Sequence, residues 1–433
     1  MIGPPLRVDQ AGVTLIELMV AMVLGLLVSG GIITVFLTTS NSNRVQNQLA
    51  RLQEEGRYAM GRLVGDLRMA NGHYCANTGG LASQTSSGLL LDGLRAPMVY
   101  ANNLVGKMSD VTTSWDVSPY PTKPTSPYYF PSFLSMRGYD CTRTACTPAV
   151  AANVVPNMGT SAANRVVGSS VLTLRYLDSS RGWALGGANS TVTTDTDGTV
   201  AAINLKSGQG EPPADFDGNH LAMLASCSGA AIFAVDGSGA QISPAAVGDA
   251  LNGNAGKPVA PPLQSAPRLF DFNTDFLTVT YYLKVVANED GSTTGALIRR
   301  VNGESSEIVR GVERLDFLYG VEDSNGNTSY LTATQIDSGT NCPPSVPVKL
   351  GTDPGCLWRG VKSVEVRILM SGQQELPSLT TNETNYTYAS DGNTGPKPPG
   401  DSSRAVTPAQ QGFKDRILRR EFSALIALRN YNP

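Results

Sequence analysis

The sequence predicts an α+β fold, with one long N-terminal helix leading into a large β-rich domain. An uninterrupted apolar run near the start passes into a helical period. The rest of the 433-residue chain is short β-type runs separated by Gly, Pro, Asn, Asp and Ser clusters. Composition agrees: 45 Gly, 27 Pro and only 16% charged residues favour strands and long loops over a helical bundle. The length corresponds to roughly two to three domain equivalents, enough to bury a sizeable core.

The apolar run extends from Val13 to Leu37. As a helix it is roughly 37 Å long at ~1.5 Å per residue, enough to span a bilayer. It exceeds the ~7–15 residue apolar core of a cleaved secretory signal. Residues 1–12 are short and polar, with one basic residue, Arg7. They are expected to stay cytoplasmic while the polar, cysteine-bearing remainder is translocated. Beyond Leu37 the helical period continues through Val45, Leu49, Leu52, Ala59, Leu63 and Leu67. Arg44, Gln48, Arg51, Glu55, Arg62, Asp66 and Arg68 are assigned to the opposite face. This half reads as an amphipathic helix whose apolar stripe must pack on something. Gly25, Gly30 and Gly31 each lower helix stability by ~1 kcal/mol and mark places for close packing or local unwinding.

Glu17 stands near the start of the membrane helix. A carboxylate there costs up to about 2.5–3.5 kcal/mol, so it calls for a partner or an escape to the headgroups. The residues around it, Gly12-Val13-Thr14-Leu15-Ile16-Glu17, resemble the cleavage and assembly signature of type IV prepilins and pseudopilins. The resemblance implies cleavage between Gly12 and Val13 by prepilin peptidase and methylation of the new Val13 amine. Glu17 would then pair with that amine, on its own or a neighbouring subunit. Thr14, Leu15 and Ile16 complete the assembly signature. Two departures are present: Val13 stands where Phe is usual, and no basic cluster precedes the cleavage site.

Three further stretches resemble PilW-type minor pilins: residues 51–70, residues 307–323, and the run Arg419-Arg420-Glu421-Phe422-Ser423-Ala424-Leu425-Ile426-Ala427-Leu428-Arg429-Asn430. That resemblance implies a pilin-like fold, its helix packed on an antiparallel sheet that bears a large β-rich insertion. The expected division is a leader (1–12), a transmembrane and assembly helix (13–37), its amphipathic second half (38–75) and a periplasmic globular domain (76–433). The insertion is expected around residues 76–265. The implied role is structural, in the initiation, priming or tip of a type IV pilus. The implied partners are prepilin peptidase, major and other minor pilins, the inner-membrane assembly platform and the lipid bilayer. A type II secretion pseudopilin, or a membrane-anchored adhesin or periplasmic enzyme, is the alternative.

Strands are expected at residues 171–177, 277–283, 315–321 and 361–369, the last two with half-buried alternation. Residues 118–131, 244–267 and 385–408 read as loops. Six cysteines are present, Cys75, Cys141, Cys146, Cys227, Cys342 and Cys356, an even count that suits an oxidising compartment. Short separations favour Cys141–Cys146 and Cys342–Cys356, leaving Cys75 with Cys227. With only His73 and His220, no C-x-x-C and none of the common catalytic motifs, no catalytic or zinc site is assigned and no cofactor is expected. The Asp-rich turns at 195–198, 215–219 and 323–327 offer calcium-type oxygens but complete no EF-hand loop and read as tight turns. A net charge of −3 gives no basic footprint for nucleic acid.

Overall fold

The computed structural model describes residues 12, 14–74, 81–85, 88–92, 96–112, 123–208, 211–227, 229–261, 266–322, 327–339, 355–376, 388–389 and 405–430. The helix runs unbroken from Leu15 to Met69, about 80 Å at ~1.5 Å per residue. Gly25, Gly30 and Gly31 do not interrupt it. Thr34 and Thr38 donate back to the Gly30 and Thr34 carbonyls at 2.8 and 2.9 Å. That gives both hydroxyls an internal partner where water is scarce.

Two antiparallel sheets meet the helix. The first has four strands in the order Thr328–Leu331, Val312–Glu322, Val361–Glu375, Ile417–Ala427, and the helix lies along the last two. The second has six, in the order Glu304–Arg310, Thr293–Val301, Phe276–Ala287, Val171–Leu177, Met136–Cys141, Cys146–Thr147. Their shared core includes Leu52, Ala59, Leu63 and Leu67 of the helix with Tyr281, Phe317, Val364, Val366 and Ile368 of the sheets.

A nine-stranded sheet carries its own core, built around Trp183, Ile203, Phe216, Leu224, Phe233 and Leu269. Most of it lies within residues 178–275, between two strands that are neighbours in the six-stranded sheet, with Leu177 opposite Phe276. The two ends of this excursion are tied together. Asp178 donates its N–H to the Asp275 carbonyl at 2.8 Å, and Arg181 pairs with both Asp275 and Glu211, at 2.8 and 2.7 Å. Burial first, and then Glu211, raise the Asp275 carboxyl to about 7.

All four expected strands form. Residues 171–177 match in full, and the other three are longer than expected. Their burial differs. Val312–Val321 is buried on both faces rather than alternating. The helix core covers one side, and residues 166–170 and 405–413 approach the other. Gln411 donates to the Val167 and Glu313 carbonyls, and Ser170 to Asp316. The strand's charges are paired: Glu313 with Arg419 at 2.7 Å and Arg314 with Asp316 at 3.2 Å. Val361–Glu375 alternates only at its start and is buried throughout residues 368–372. Two expected loops contain strands, at Tyr128–Tyr129 and at the paired Tyr388–Ala389 and Ala405–Val406.

The buried helical stripe is Gln48, Leu52, Gly56, Ala59, Leu63 and Leu67, at steps of three and four residues. Val45 and Leu49, expected in it, are only half-buried. Gln48, expected on the outer face, reaches inward to the Gln374 carbonyl at 3.2 Å. Gly56 belongs to the stripe because a Cβ there would lie 2.5 Å from the Phe422 ring. The three leucines contribute about 2 kcal/mol each on burial.

Asp66, also assigned outward, points in and ties together three strands of the six-stranded sheet. It accepts from Tyr176 at 2.9 Å, Tyr281 at 2.6 Å, and Arg299 at 2.6 and 3.1 Å. At the helix end, Asn430 Nδ2 donates to the Met69 and Ala70 carbonyls, each at 3.2 Å. Asn71 in turn donates to the Asn430 carbonyl at 3.1 Å.

Asn71 therefore presents its Oδ1 to His73 Nε2, 3.1 Å away, and the neutral His73 ring carries its proton on Nε2. The ring is buried and stacks 5.8 Å from Phe276. Its Nδ1 has no hydrogen-bond partner, so a second proton would be stranded, and burial lowers the pKa from the ordinary 6.5 to about 4.

Two outcomes follow for unfolding in urea of the detergent-solubilised chain. Asp66→Asn should cost about 2–3 kcal/mol, because Arg299 loses its anion. Adding Arg299→Met should cost less than the sum of the two single changes, and additive costs would show that the pair is not coupled. Between pH 6.5 and 4 the unfolded chain protonates His73 while the folded chain does not, so stability falls with pH. It should drop by about 3 kcal/mol across that window and level off below it. His73→Phe should remove that slope, and an unchanged slope would assign it to other groups.

Candidate functional site

The membrane-side half of the helix stands clear of the globular part. Every side chain described from Leu15 to Thr39 is exposed, with Leu15 and Leu26 at 76% and Phe36 at 71%. A soluble protein's core helix buries such a run; here the apolar window long enough to cross a membrane is wholly uncovered. Its exposure demands lipid or other apolar helices as its environment.

Thr14 is the N-cap of this helix. Its hydroxyl accepts from the Glu17 N–H at 3.3 Å, and its own N–H and hydroxyl donate to Glu17 Oε2 at 3.1 and 3.0 Å. This reciprocal box satisfies donors that a helix start otherwise leaves bare, and it sets the carboxylate at the positive end of the helix dipole. Both bonds fall on Oε2; among the described residues nothing donates to Oε1. Val13, the expected bearer of the amine, lies outside the described residues. Gly12 is exposed, and a Cβ on it would meet nothing. Among the described residues no packing requires a glycine there. Leu15 and Ile16 are exposed beside Glu17. Sequence reading found these residues but missed Thr14's capping role, although Thr14-x-x-Glu17 is the spacing of a capping box.

Where the helix enters the globular part, a cleft of about 450 Å³ opens between Arg44, Asn47, Arg51 and Glu54 on the helix and Gly372, Gln373 and Gln374 on the sheet.

Other candidates resolve into structural roles. In the turn at 195–198, Asp197 accepts from Thr199 N–H and hydroxyl, and Asp195 pairs with Lys257 at 3.0 Å. In the turn at 215–219, Asp217 accepts from the Asn219 N–H. Residues 323–326 of the third turn lie outside the described residues. His220 is flanked by carboxylates, with Nδ1 2.9 Å from Asp271 and Nε2 3.7 Å from Asp217. The bond from Asp271 raises its pKa, which suits an ion pair. Cys141 and Cys146 form a disulfide, as expected. Cys227 is disulfide-bonded too. Cys75 and Cys342 lie outside the described residues, as does the side chain of Cys356, so the other two expected pairings do as well.

Residues 280–430 match the family model for type IV pilus-assembly protein W, and residues 7–33 match the prokaryotic N-terminal methylation motif. No curated protein and no solved structure matches the chain. The first match covers the whole four-stranded sheet and supplies Arg299, Phe422 and Asn430, which grip the helix. The second covers the capped helix start and most of the exposed apolar run. The helix at one end is similar to that of N-methylated prepilins and the sheet that holds it at the other to type IV pilus-assembly protein W, and together the two matches support a type IV pilin of the PilW type.

Proposed function

We propose that this chain is a minor pilin, processed by prepilin peptidase, that takes part in starting, priming or tipping a type IV pilus. One observation carries the reading. A long apolar stretch of unbroken helix stands clear of the globular part, and its only carboxylate is bonded to Thr14 through a single oxygen.

In this reading residues 1–12 are the leader, cut between Gly12 and Val13. Residues 13–37 cross the inner membrane once, residues 38–75 bind the helix to the domain, and residues 76–433 lie in the periplasm. The methylated Val13 amine takes the open Oε1 of Glu17, on the same subunit or the next. That pairing fixes the axial register of the helix among neighbouring pilin helices, while apolar packing replaces lipid contact. The bulk of the nine-stranded lobe favours a position near a filament end, where lateral neighbours are fewer. The role is structural, with other pilins, the assembly platform and the bilayer as partners.

Mass spectrometry of the mature N-terminal peptide from membrane and sheared-pilus fractions tests this first. A peptide beginning at N-methylated Val13 is expected in both fractions; one retaining Met1 would refute processing. Gly12→Leu should abolish that peptide by blocking the peptidase's approach. Glu17→Val should leave processing and membrane binding intact while lowering pilus content at least about tenfold, as losing a charged hydrogen bond of ~1.5–3 kcal/mol would. Normal incorporation of Glu17→Val would sink the register mechanism. Labelled subunits spread evenly along filaments in immuno-electron microscopy would overturn the end position.

A further inference from the structure

We propose that the Cys141–Cys146 disulfide is a thiol–disulfide exchange site, governed by Arg165, with a protein dithiol as its co-substrate. The two cysteines face each other across the outermost pair of the six-stranded sheet and close the loop Cys141-Thr142-Arg143-Thr144-Ala145-Cys146. Residues 142–145 are exposed, Cys146 is partly exposed and Cys141 is buried. One sulfur can thus be reached from solvent while the other is shielded.

Arg165 is what sets this bridge apart. Its Nη1 lies 3.2 Å from each of the two sulfurs, and its Nε donates to the Pro156 carbonyl at 3.3 Å. The residue is 5% exposed. Among the described residues no carboxylate pairs with it, and burial alone lowers its pKa, to about 10. Its backbone is fixed on both sides: its N–H donates to the Asn157 carbonyl, and its carbonyl accepts from Gly159. The guanidinium is therefore held over the bridge by the fold.

A buried cation without an anion is costly, and a disulfide is a weak acceptor. Reduction replaces that acceptor with a thiolate and gives Arg165 the counter-charge it lacks. Arg165 thus favours the reduced state and lowers the thiol pKa. Other charged or titratable groups surround the bridge. Tyr139 and Tyr282 lie in the same apolar cluster, with Arg137 over the Tyr139 ring. Asp140 accepts from Thr334, Lys284 meets Arg165 through a backbone bridge, and Arg143 is exposed in the loop.

The exchange balances in two steps. A thiolate of the partner attacks Cys146 Sγ, the S–S bond breaks, and Cys141 Sγ leaves with the electron pair as a thiolate beside Arg165. The partner's second thiol, deprotonated, attacks the mixed disulfide and releases Cys146, which takes up the proton. The partner leaves oxidised to a disulfide, and the chain is left as a dithiol.

The test equilibrates the full chain in detergent micelles with dithiothreitol buffers of graded redox poise. Thiols are trapped with iodoacetamide and read by peptide mass spectrometry, with the Cys227 disulfide as internal reference. Cys141–Cys146 should open under milder reduction than the Cys227 bridge, and Arg165→Met should require stronger reduction. At pH 7, reduced Arg165→Met should alkylate at Cys141 about tenfold more slowly than the reduced native chain, as a rise of about one pKa unit gives. Equal poise and equal rates in the two proteins would overturn the proposal. Should Arg165→Met fail to fold, the pH profile of Cys141 alkylation in the native chain decides. An inflection below the ordinary thiol value of ~8.5 supports the site, and one at or above it overturns it.

Discussion

A single helix must satisfy two environments, and the molecule is arranged around how its inner half is gripped. The outer half exposes apolar side chains that water rejects, so it can be stable only if the inner half is anchored firmly enough to hold it out. The anchor is a stripe of small and apolar residues seated on the four-stranded sheet, with one carboxylate, Asp66, driven into the six-stranded sheet. Tyr176, Tyr281 and Arg299 come from three different strands and converge on that carboxylate. Asn430 closes the helix end. Rotation or sliding of the helix would break a charged, largely desolvated cluster, which makes its angle and register sharply defined. Glu17 then sits about 45 Å along the axis from Gln48, at ~1.5 Å per residue.

The nine-stranded lobe is added without disturbing this grip. It leaves and re-enters between two strands that remain neighbours, and the neck is closed by Arg181 between Asp275 and Glu211. One face of its sheet has a core of its own, while Met223, Ile232 and Phe270 on the other join the core that holds the helix. The family match begins after the lobe ends, so the gripping sheet and the lobe are distinct parts of the sequence.

The polar chemistry at the helix tip follows the same economy as that beside the disulfide. Thr14 gives Glu17 two donors on one oxygen, and among the described residues nothing donates to the other. Arg165 is a cation that no carboxylate among the described residues answers, next to a bond whose opening would supply an anion. In each case the proposed partner is one that would answer a charge the surrounding described residues leave partly unsatisfied.

What the sequence by itself determined is the part that depends on neighbours along the chain. The apolar run, its length, the position of Glu17 relative to Gly12 and the existence of the main strands all rest on local period and spacing. The short Cys141–Cys146 loop was legible for the same reason. Other features depended on contacts between residues from 19 to 326 and more positions apart. Asp66 and Gln48 look like solvent-facing polar residues until the tyrosines, Arg299 and the Gln374 carbonyl are brought to them. Gly56 looks like a weak point until Phe422 is placed against it. The strand at 312–322 looks half-buried until residues 405–413 cover its second face, and Arg165 is one arginine among many until the fold lays it across two sulfurs. Periodicity reports how a segment divides between an inside and an outside. Only the tertiary structure decided what the inside contains, because a polar or absent side chain is buried when a distant partner satisfies or fills it.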